Sequence, residues 1–313
     1  MLLDVEREIV PLIGSKEGIV LLALALLDPG DGVLVPDPGY APYTIGATLA
    51  GAEVIRLPLQ PERGFLPDLA AVPAAVADRA TLLWLNYLHN PTGATAALDF
   101  LAEAVAFARQ HDLLLCHDAP YSEVAYDGYV APSVLQVSGA AEVAVEFNSL
   151  SKTFNMAGWR VGMAVGNAQA LATLAGLKSN VDSGHFRPVQ EAAVAALRTD
   201  PVWIAARNAI YAERLNLLHS ALKEAGWTAA RPKATFYLWA PVPTEQSSEA
   251  FALDLLKAIG VAFAPGSFFG AAGEGYVRIS VTAPTSQVRQ AARLIQDHVA
   301  TRSVASQSAS SIR

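Results

Sequence analysis

The sequence feature that most restricts the fold is a repeated alternation of short β-rich runs with segments of helical spacing. The strand-like runs between residues 32 and 166 are GVLVP, EVIRLPL, TLLWLN, LLLCHD, VAVEFNS and RVGMAVG. Helical spacing appears in LDFLAEAVAFARQHD and NAQALATLAGLK. Because the strand-like runs are apolar on both faces, they are typical of a mostly parallel sheet covered by helices on both sides. The alternation therefore predicts a three-layer α/β domain.

A second unit is predicted in the last third of the chain. A long helical stretch from about Pro201 leads to ATFYLWAPV, VAFAPGSFFG and YVRISV, and to a last helix from about Pro284. We therefore expect a large α/β domain over residues 1–205 and a smaller α+β domain over residues 206–303. The Ser/Ala-rich residues 304–313 are predicted to form a disordered tail.

Composition excludes several classes of protein. Of the 313 residues, 52% are hydrophobic and 16% are charged, which is typical of a globular chain. The net charge of -7 and the lack of a basic run argue against nucleic acid and anionic membranes as partners. The longest apolar run, IVLLALALL, is too short to span a bilayer, and the single cysteine, Cys116, can form no intrachain disulfide. We expect a cytoplasmic protein that binds small molecules and no metal.

The segment SLSKTFNMAGWR contains a lysine, Lys152, between hydroxyl side chains at the end of an apolar run. Ser149, Ser151 and Arg160 of this segment supply hydroxyls and a guanidinium, which are groups that hold a phosphate dianion. A phosphate beside a lysine at a strand end indicates pyridoxal phosphate, because the aldehyde of this cofactor condenses with a lysine amine.

The motif IGSKEG directly precedes a helical apolar run, so its amides would lie at a helix N-terminus that attracts anions. We expect Ser15 and Lys16 to contribute to the phosphate site. Taken alone, the motif is weak evidence, because Ser15 is better explained as a helix cap and Lys16 as a solvated charge.

Pyridoxal phosphate makes further demands, and residues at neighbouring strand ends meet them. The ring nitrogen requires a carboxylate, which Asp118 supplies at the end of LLLCHD. Tyr121 and Asn90 would bind the ring oxygen, and Tyr40 would stack on the ring. Each alone has another interpretation, since Asp118 and Asn90 also suit turns or caps and Tyr40 suits a cavity rim.

From Gly14 to about Val299, the sequence resembles the fold type I, class I and II aminotransferases that depend on pyridoxal phosphate. HNPTG, DAPY, SLSKTFNMAGWRVG and YVRIS are similar to the family's signature motifs. The resemblance implies transfer of an amino group between an L-amino acid and a 2-oxo acid, with glutamate and 2-oxoglutarate as one pair. Within the family, GSKEG, DPGY and KSNVDSGHFRPVQEAAVAAL are most similar to the LL-diaminopimelate aminotransferase branch.

The resemblance also implies a role for each site residue. Lys152 would carry the cofactor and move the substrate proton, and Arg278 would bind the substrate carboxylate with help from Asn90. The catalytic set would be Lys152, Asp118 and Tyr121, and the cofactor set Ser15, Lys16, Tyr40, Asn90, Asp118, Tyr121, Ser149, Ser151, Lys152 and Arg160. His185 and Phe186 could line the substrate pocket but could equally be structural.

The resemblance further implies a homodimer, because the family builds its site at a subunit interface. Members of the family carry a longer segment before the GSKE motif, and the residues that this segment contributes to the site cannot be assigned in this sequence. Two alternative functions remain open at this point, a C–S β-lyase that uses the same cofactor and a non-catalytic protein that binds pyridoxal phosphate.

Overall fold

The structure, a computed structural model, describes the backbone of residues 3–310 and the side chains of residues 3–298. The strands are β1 Ile9–Leu12, β2 Gly32–Asp37, β3 Glu53–Pro58, β4 Ala80–Leu85, β5 Leu114–Asp118, β6 Ala144–Ser149, β7 Gly162–Gly166, β8 Tyr237–Pro241, β9 Ala264–Pro265 and β10 Tyr276–Ser280. The helices are α1 Ser15–Leu26, α2 Ala41–Leu49, α3 Ala74–Ala77, α4 Leu98–Gln110, α5 Leu150–Thr153, α6 Ala168–Lys178, α7 Arg187–Leu197, α8 Pro201–Glu224, α9 Ser248–Ile259 and α10 Thr285–Ser310.

The larger sheet has seven strands in the order β1-β7-β6-β5-β4-β2-β3. Five neighbouring strands run parallel, namely β3, β2, β4, β5 and β6. Strand β7 is antiparallel to β6, and β1 is antiparallel to β7. The predicted fold class, a mostly parallel α/β sheet, is confirmed. The sequence analysis did not identify β1, whose four residues are too few to give a clear alternation.

Helices cover both faces of this sheet, as the apolar strands predict. Val33 and Val35 of β2 pack with α1, α2 and α6 on one face, in a core that also contains Cys116. Leu34, which lies between these valines, packs with α4 on the other face. Because successive side chains of a strand point to opposite faces, β2 serves both cores and the sheet forms the middle of three layers.

A smaller antiparallel sheet, in the order β8-β10-β9, forms the second unit together with α9, α10 and most of α8. Its apolar core includes Leu88 and Tyr121, which follow strands of the large sheet, alongside Phe236 and Leu238. The two sheets therefore share buried contacts. The predicted domain boundary at residue 205 falls inside α8 and stays a prediction.

The expectation of a disordered tail over residues 304–313 stays a prediction. Helix α10 continues to Ser310, and residues 311–313 lie outside the described part of the chain. Helix formation is compatible with the alanines of this Ser/Ala-rich segment, because alanine has the highest helix propensity.

Two further findings concern membranes and metals. Within residues 3–310, no helix is both long and apolar enough to cross a membrane. The described side chains also contain no cluster of three or more His, Cys, Asp or Glu residues that could hold a metal ion.

Candidate active site

A cavity of about 310 Å³ lies at the edge of the large sheet where the parallel strands end. Its volume is in the range of small-molecule sites. The structure brings every predicted site residue to its wall, namely Ser15, Lys16, Tyr40, Asn90, Asp118, Tyr121, Ser149, Ser151, Lys152, Arg160 and Arg278. The clustering follows from topology, because the carboxyl ends of parallel strands meet at one edge.

One end of the cavity is built to hold an anion. Helix α1 begins at Ser15, and no side chain caps its first amides. Arg160 lies beside this helix start and donates from Nη1 to the Ser151 hydroxyl at 3.4 Å. A Cβ atom on Gly14 would meet Arg160 Nη2 at 2.1 Å, so only glycine allows the guanidinium to approach the helix start this closely. Free amides, a hydroxyl and a guanidinium together suit a phosphate group.

The other hydroxyl of this region, that of Ser149, ends β6 and starts α5. Its Oγ accepts a hydrogen bond from the Ser151 amide at 3.2 Å and so caps the short helix that carries Lys152. The side chain of Lys16 is exposed at the cavity rim. Ser149 therefore both lines the cavity and fixes the turn after β6.

Asp118 is the buried carboxylate of the cavity. Its Oδ2 accepts a hydrogen bond from the Tyr43 hydroxyl at 2.7 Å, whereas its Oδ1 is buried with no partner in the described part of the chain. Burial raises the pKa of Asp118 to about 6, although the Tyr43 hydroxyl and the Lys152 amine partly oppose this shift. A buried oxygen that lacks a donor is the acceptor that a protonated ring nitrogen requires.

The amine of Lys152 lies among aromatic rings and cations. Its Nζ is 6.0 Å from the centre of the Tyr121 ring and 5.6 Å from that of Phe236. Burial lowers the pKa of Lys152, and the positive charges of Arg160 and Arg278 lower it further. A lowered pKa increases the neutral fraction of the amine, which is the form that acts as a nucleophile or a base.

Arg278 enters the cavity from β10 of the small sheet. Its Nη1 donates to Asn90 Oδ1 at 2.7 Å, and its guanidinium lies 4.2 Å from the centre of the Tyr237 ring and 4.6 Å from that of Phe269. Its Nε is buried and has no partner among the described residues. The guanidinium thus keeps free donors in the fork geometry that binds a carboxylate.

Two tyrosines complete the described wall. The Tyr40 ring lies edge-on to Tyr43, with 5.7 Å between ring centres, and the Tyr121 hydroxyl lies 3.2 Å from that of Tyr237. Burial raises the pKa of Tyr40 and of Tyr121, so both phenols stay protonated near neutral pH. Protonated hydroxyls can donate to an anionic ring oxygen.

Sequence reasoning missed several residues that support the site. Asn86 donates from Nδ2 to the Asp118 carbonyl at 2.6 Å and accepts from the Asn90 amide at 2.8 Å, so it links two site residues. Its position directly after β4 was an available signal. Tyr43 also lies in DPGYAPY, beside the assigned Tyr40, whereas Tyr237 on β8 has no local sequence signal.

His185 and Phe186 do not line this cavity. His185 donates from Nε2 to the Arg160 carbonyl at 3.0 Å and faces a separate groove. Phe186 is 75% exposed. Of the two interpretations left open by the sequence, the structure favours a supporting role for His185 behind Arg160.

The cavity matches the chemistry of pyridoxal phosphate on three independent points. It has an anion site at a helix start, a buried carboxylate oxygen without a partner among the described residues, and a lysine amine of lowered pKa. The fold and the site together define a pyridoxal-phosphate-dependent enzyme.

Comparison with known proteins identifies the family. The sequence matches the family described as aminotransferase class I and II over residues 1–295. The chain belongs to this family, whose members transfer an amino group between an amino acid and a 2-oxo acid with pyridoxal phosphate as cofactor.

Individual relatives agree with the family assignment. The chain is 52% identical over 289 residues to the LL-diaminopimelate aminotransferase of Desulforudis audaxviator, covering 92% of this chain and 74% of the relative. The structure of BacF from Bacillus subtilis is similar with a TM-score of 0.92 and 40% identity, over 96% of this chain and 80% of that one. A probable N-succinyldiaminopimelate aminotransferase from Thermus thermophilus gives a TM-score of 0.90 at 40% identity, over 95% and 79% of the two chains.

Proposed function

We propose that this aminotransferase takes LL-diaminopimelate or a closely similar amino acid as one substrate, with glutamate and 2-oxoglutarate as the other pair. The observation that supports an α-carboxylate ligand is the guanidinium of Arg278, which lines the cavity and whose buried Nε has no partner in the described part of the chain. The choice of diaminopimelate is supported by the names of relatives at about half identity to this chain, such as that from Desulforudis audaxviator.

We propose that residues beside the large sheet hold the cofactor at four points, namely its ring nitrogen, its ring oxygen, its ring face and its phosphate. Asp118 Oδ1 would accept from the ring nitrogen, and Tyr121 and Asn90 would donate to the ring oxygen. Tyr40 would cover the ring face. The phosphate would be held by Ser15, Lys16, Ser149, Ser151 and Arg160.

The remaining roles follow from the geometry of Lys152 and Arg278. When bound, pyridoxal phosphate supplies an electron sink that makes the α-proton of an amino acid removable. The Lys152 amine, whose pKa is lowered by burial, would in its neutral form accept this proton at Nζ and deliver it again. Arg278 would hold the substrate carboxylate and so fix which bond at the α-carbon faces Lys152. Asn90 binds Arg278 through Oδ1 and would orient its fork.

The test compares three donors offered to the purified chain with pyridoxal phosphate and 2-oxoglutarate. We expect glutamate to form with LL-diaminopimelate and to form much more slowly with meso-diaminopimelate or the N-succinylated compound. The inactive control is Lys152→Ala, which should also lose the pyridoxyl label that borohydride leaves on Lys152. A preference for the succinylated donor would contradict the proposed substrate.

We further propose that the chain acts as a homodimer in the cytoplasm. The dimer is supported by the family and by large apolar side chains exposed around α7 and the start of α8, such as Leu197, Val202 and Trp203. The cytoplasm is supported by the single, buried cysteine. Light scattering during size-exclusion chromatography should give twice the chain mass of 33.0 kDa, and a monomer would contradict the dimer.

A further inference from the structure

Arg207 lies on α8 behind the turn that carries Lys152, and it does not line the cavity. Its Nη1 donates to the backbone carbonyl of Lys152 at 2.6 Å and also to that of Thr153. Its Nη2 donates to the carbonyl of Glu123 at 2.5 Å, two residues after Tyr121. One guanidinium therefore joins the backbone segments of two residues that line the cavity.

The setting of this guanidinium is unusual for a cation. Arg207 is only 5% exposed, and its acceptors among the described residues are the three carbonyls and the Asn208 amide oxygen. None of these acceptors is a carboxylate. Burial lowers the pKa of Arg207, which expresses the unfavourable transfer of its charge from water. Such a group is stable only while its carbonyl acceptors stay in place, and the carbonyls in turn lose their donors if it is removed.

The same face of α8 makes a second contact with the lysine turn. Arg207, Tyr211 and Arg214 are spaced four and three residues apart, so they lie on one side of the helix. The Tyr211 hydroxyl donates at 3.0 Å to Oδ1 of Asn155, which follows Lys152 by three residues. Arg214 instead donates to Thr285 and to the carbonyl of Val281, far along the chain from the lysine turn.

We propose that Arg207 is a positioning residue for transamination, because it fixes the backbone from which the Lys152 amine enters the cavity relative to Tyr121. This inference rests on the proposed role of Lys152. The lysine side chain is long and flexible, so the reach of its amine depends on where its backbone is held. Binding of the cofactor phosphate and of the substrate carboxylate is left to other residues, and Arg207 should therefore affect turnover rather than affinity.

The experiment compares Arg207→Met with the matched control Arg214→Met in the full chain loaded with pyridoxal phosphate. For Arg207→Met we expect kcat to fall by about 10- to 100-fold, since a misplacement of about 1 Å can cost on the order of 100-fold. KM for the amino donor and the dissociation constant of the cofactor should stay within about twofold. Arg214→Met removes a similar side chain from the same helix, and its kcat should stay within about twofold of the unsubstituted chain.

A second readout is independent of activity. Hydrogen exchange measured on the cofactor-free chain should accelerate at the amides of residues 150–155 in Arg207→Met and remain unchanged in Arg214→Met. If Arg207→Met does not fold, Tyr211→Phe replaces it. This variant removes only the hydroxyl of α8 that binds Asn155, and it should give faster exchange of these amides with a smaller loss of kcat.

Several results would overturn the proposal. One is unchanged kcat and unchanged exchange in Arg207→Met, or in Tyr211→Phe where that variant replaces it. Another is an equal loss of kcat, donor affinity and cofactor affinity in the Arg207 and Arg214 variants, which would indicate a purely structural role. Failure of the proposed function would be seen separately, as no turnover by the unsubstituted chain, and hydrogen exchange would still decide the role of Arg207.

Discussion

At the scale of single residues, Asp118 combines a structural and a chemical function in its two oxygens. One oxygen is satisfied by the Tyr43 hydroxyl, and the other is left buried without a partner in the described part of the chain. A buried carboxylate oxygen without a partner is unfavourable in the cofactor-free chain. The cost of burying the charge is seen in the pKa of Asp118, which burial raises to about 6. A site of this kind is ready for a cationic donor and is destabilising until one is bound.

The raised pKa of Asp118 predicts that the stability of the cofactor-free chain depends on pH. The folded chain keeps a proton on Asp118 up to a pKa of about 6, whereas the ordinary value is 3.8. The folded state therefore binds more protons between these values, and the free energy of unfolding should fall as pH rises from about 4 to about 6. Relative to Asp118→Asn, which does not titrate, we expect the loss to reach about 3 kcal/mol. Urea unfolding of both proteins at several pH values measures this loss. A difference in the free energy of unfolding between the two proteins that does not change with pH would contradict the prediction.

Arg278 supports a second prediction at this scale. Arg278→Lys keeps a positive charge but loses the fork and the stacking over Tyr237, so it cannot bind a carboxylate with two parallel hydrogen bonds. We expect KM for the amino donor to rise by roughly 10- to 100-fold, since hydrogen bonds to charged groups contribute about 1.5–3 kcal/mol.

Steady-state kinetics, with the cofactor content checked by absorbance, tests this change. Arg63→Lys is a suitable control, because Arg63 forms an exposed ion pair with Asp68 and does not line the cavity. Loss of cofactor from Arg278→Lys, with KM unchanged, would mean that Arg278 serves the cofactor instead.

At the scale of secondary-structure elements, the start of α1 is the most constrained point. Gly14 has φ 78° and ψ 150°, a region that side chains rarely adopt, and its missing Cβ makes room for Arg160. The start of α1 and the space left by Gly14 together bring free amides and the Arg160 guanidinium to the same point of the cavity. The short helix α5 is the second such element, because the hydroxyl of Ser149 caps it directly before Lys152.

Gly14→Ala should weaken both the fold and the binding of the cofactor. The strained backbone is expected to lower the free energy of unfolding by about 1–3 kcal/mol. Displacement of Arg160 should in addition raise the dissociation constant of pyridoxal phosphate by about tenfold or more, as one charge-assisted contact is lost. Fluorescence titration with the cofactor measures this constant.

Gly30→Ala is the matched control for this prediction. Gly30 also has a positive φ, 96°, but a Cβ there would meet no atom within 4 Å. Its alanine variant should therefore show the loss of stability without the loss of cofactor affinity. Equal cofactor affinities in the two variants would remove the special role of Gly14.

The elements also indicate what a single sequence can and cannot predict. Strands β2 to β7 are recognisable because they are apolar runs of five or six residues. Asp118 and Ser149 are recognisable because each ends such a run. Strand β1 is short, and the continuation of α10 past residue 303 depends on weak local preferences. Contacts such as that between Asp118 and Tyr43 join residues 75 positions apart, so no local pattern reports them.

At the scale of the whole molecule, the two sheets are joined through a shared core. Leu88, Tyr121 and Val124, which follow strands of the large sheet, pack in the same cluster as Phe236 and Leu238 of the small unit. Helix α8 adds hydrogen bonds to both units, because Arg207 donates to the lysine turn and Arg214 donates to the carbonyl of Val281 after the last strand of the small sheet. The units are thus poorly suited to unfold separately.

We therefore expect the chain to unfold in one transition. In hydrogen exchange at increasing urea concentrations, peptides from β4 and from β8 should lose protection at the same midpoint. Two well-separated midpoints would show that the shared core is too weak to couple the sheets. A useful comparison is Leu88→Ala, which removes a fully buried contact and should bring the units closer to separate unfolding.

The order of the site residues along the chain has a consequence for how such an enzyme changes over evolutionary time. Every residue proposed to hold the cofactor lies at or before Arg160, whereas the proposed carboxylate fork, Arg278, belongs to the small sheet. Mutations in the small sheet can thus alter how the substrate is bound while every proposed cofactor ligand is retained. Related enzymes can in this way retain the same cofactor chemistry while their substrate preferences diverge.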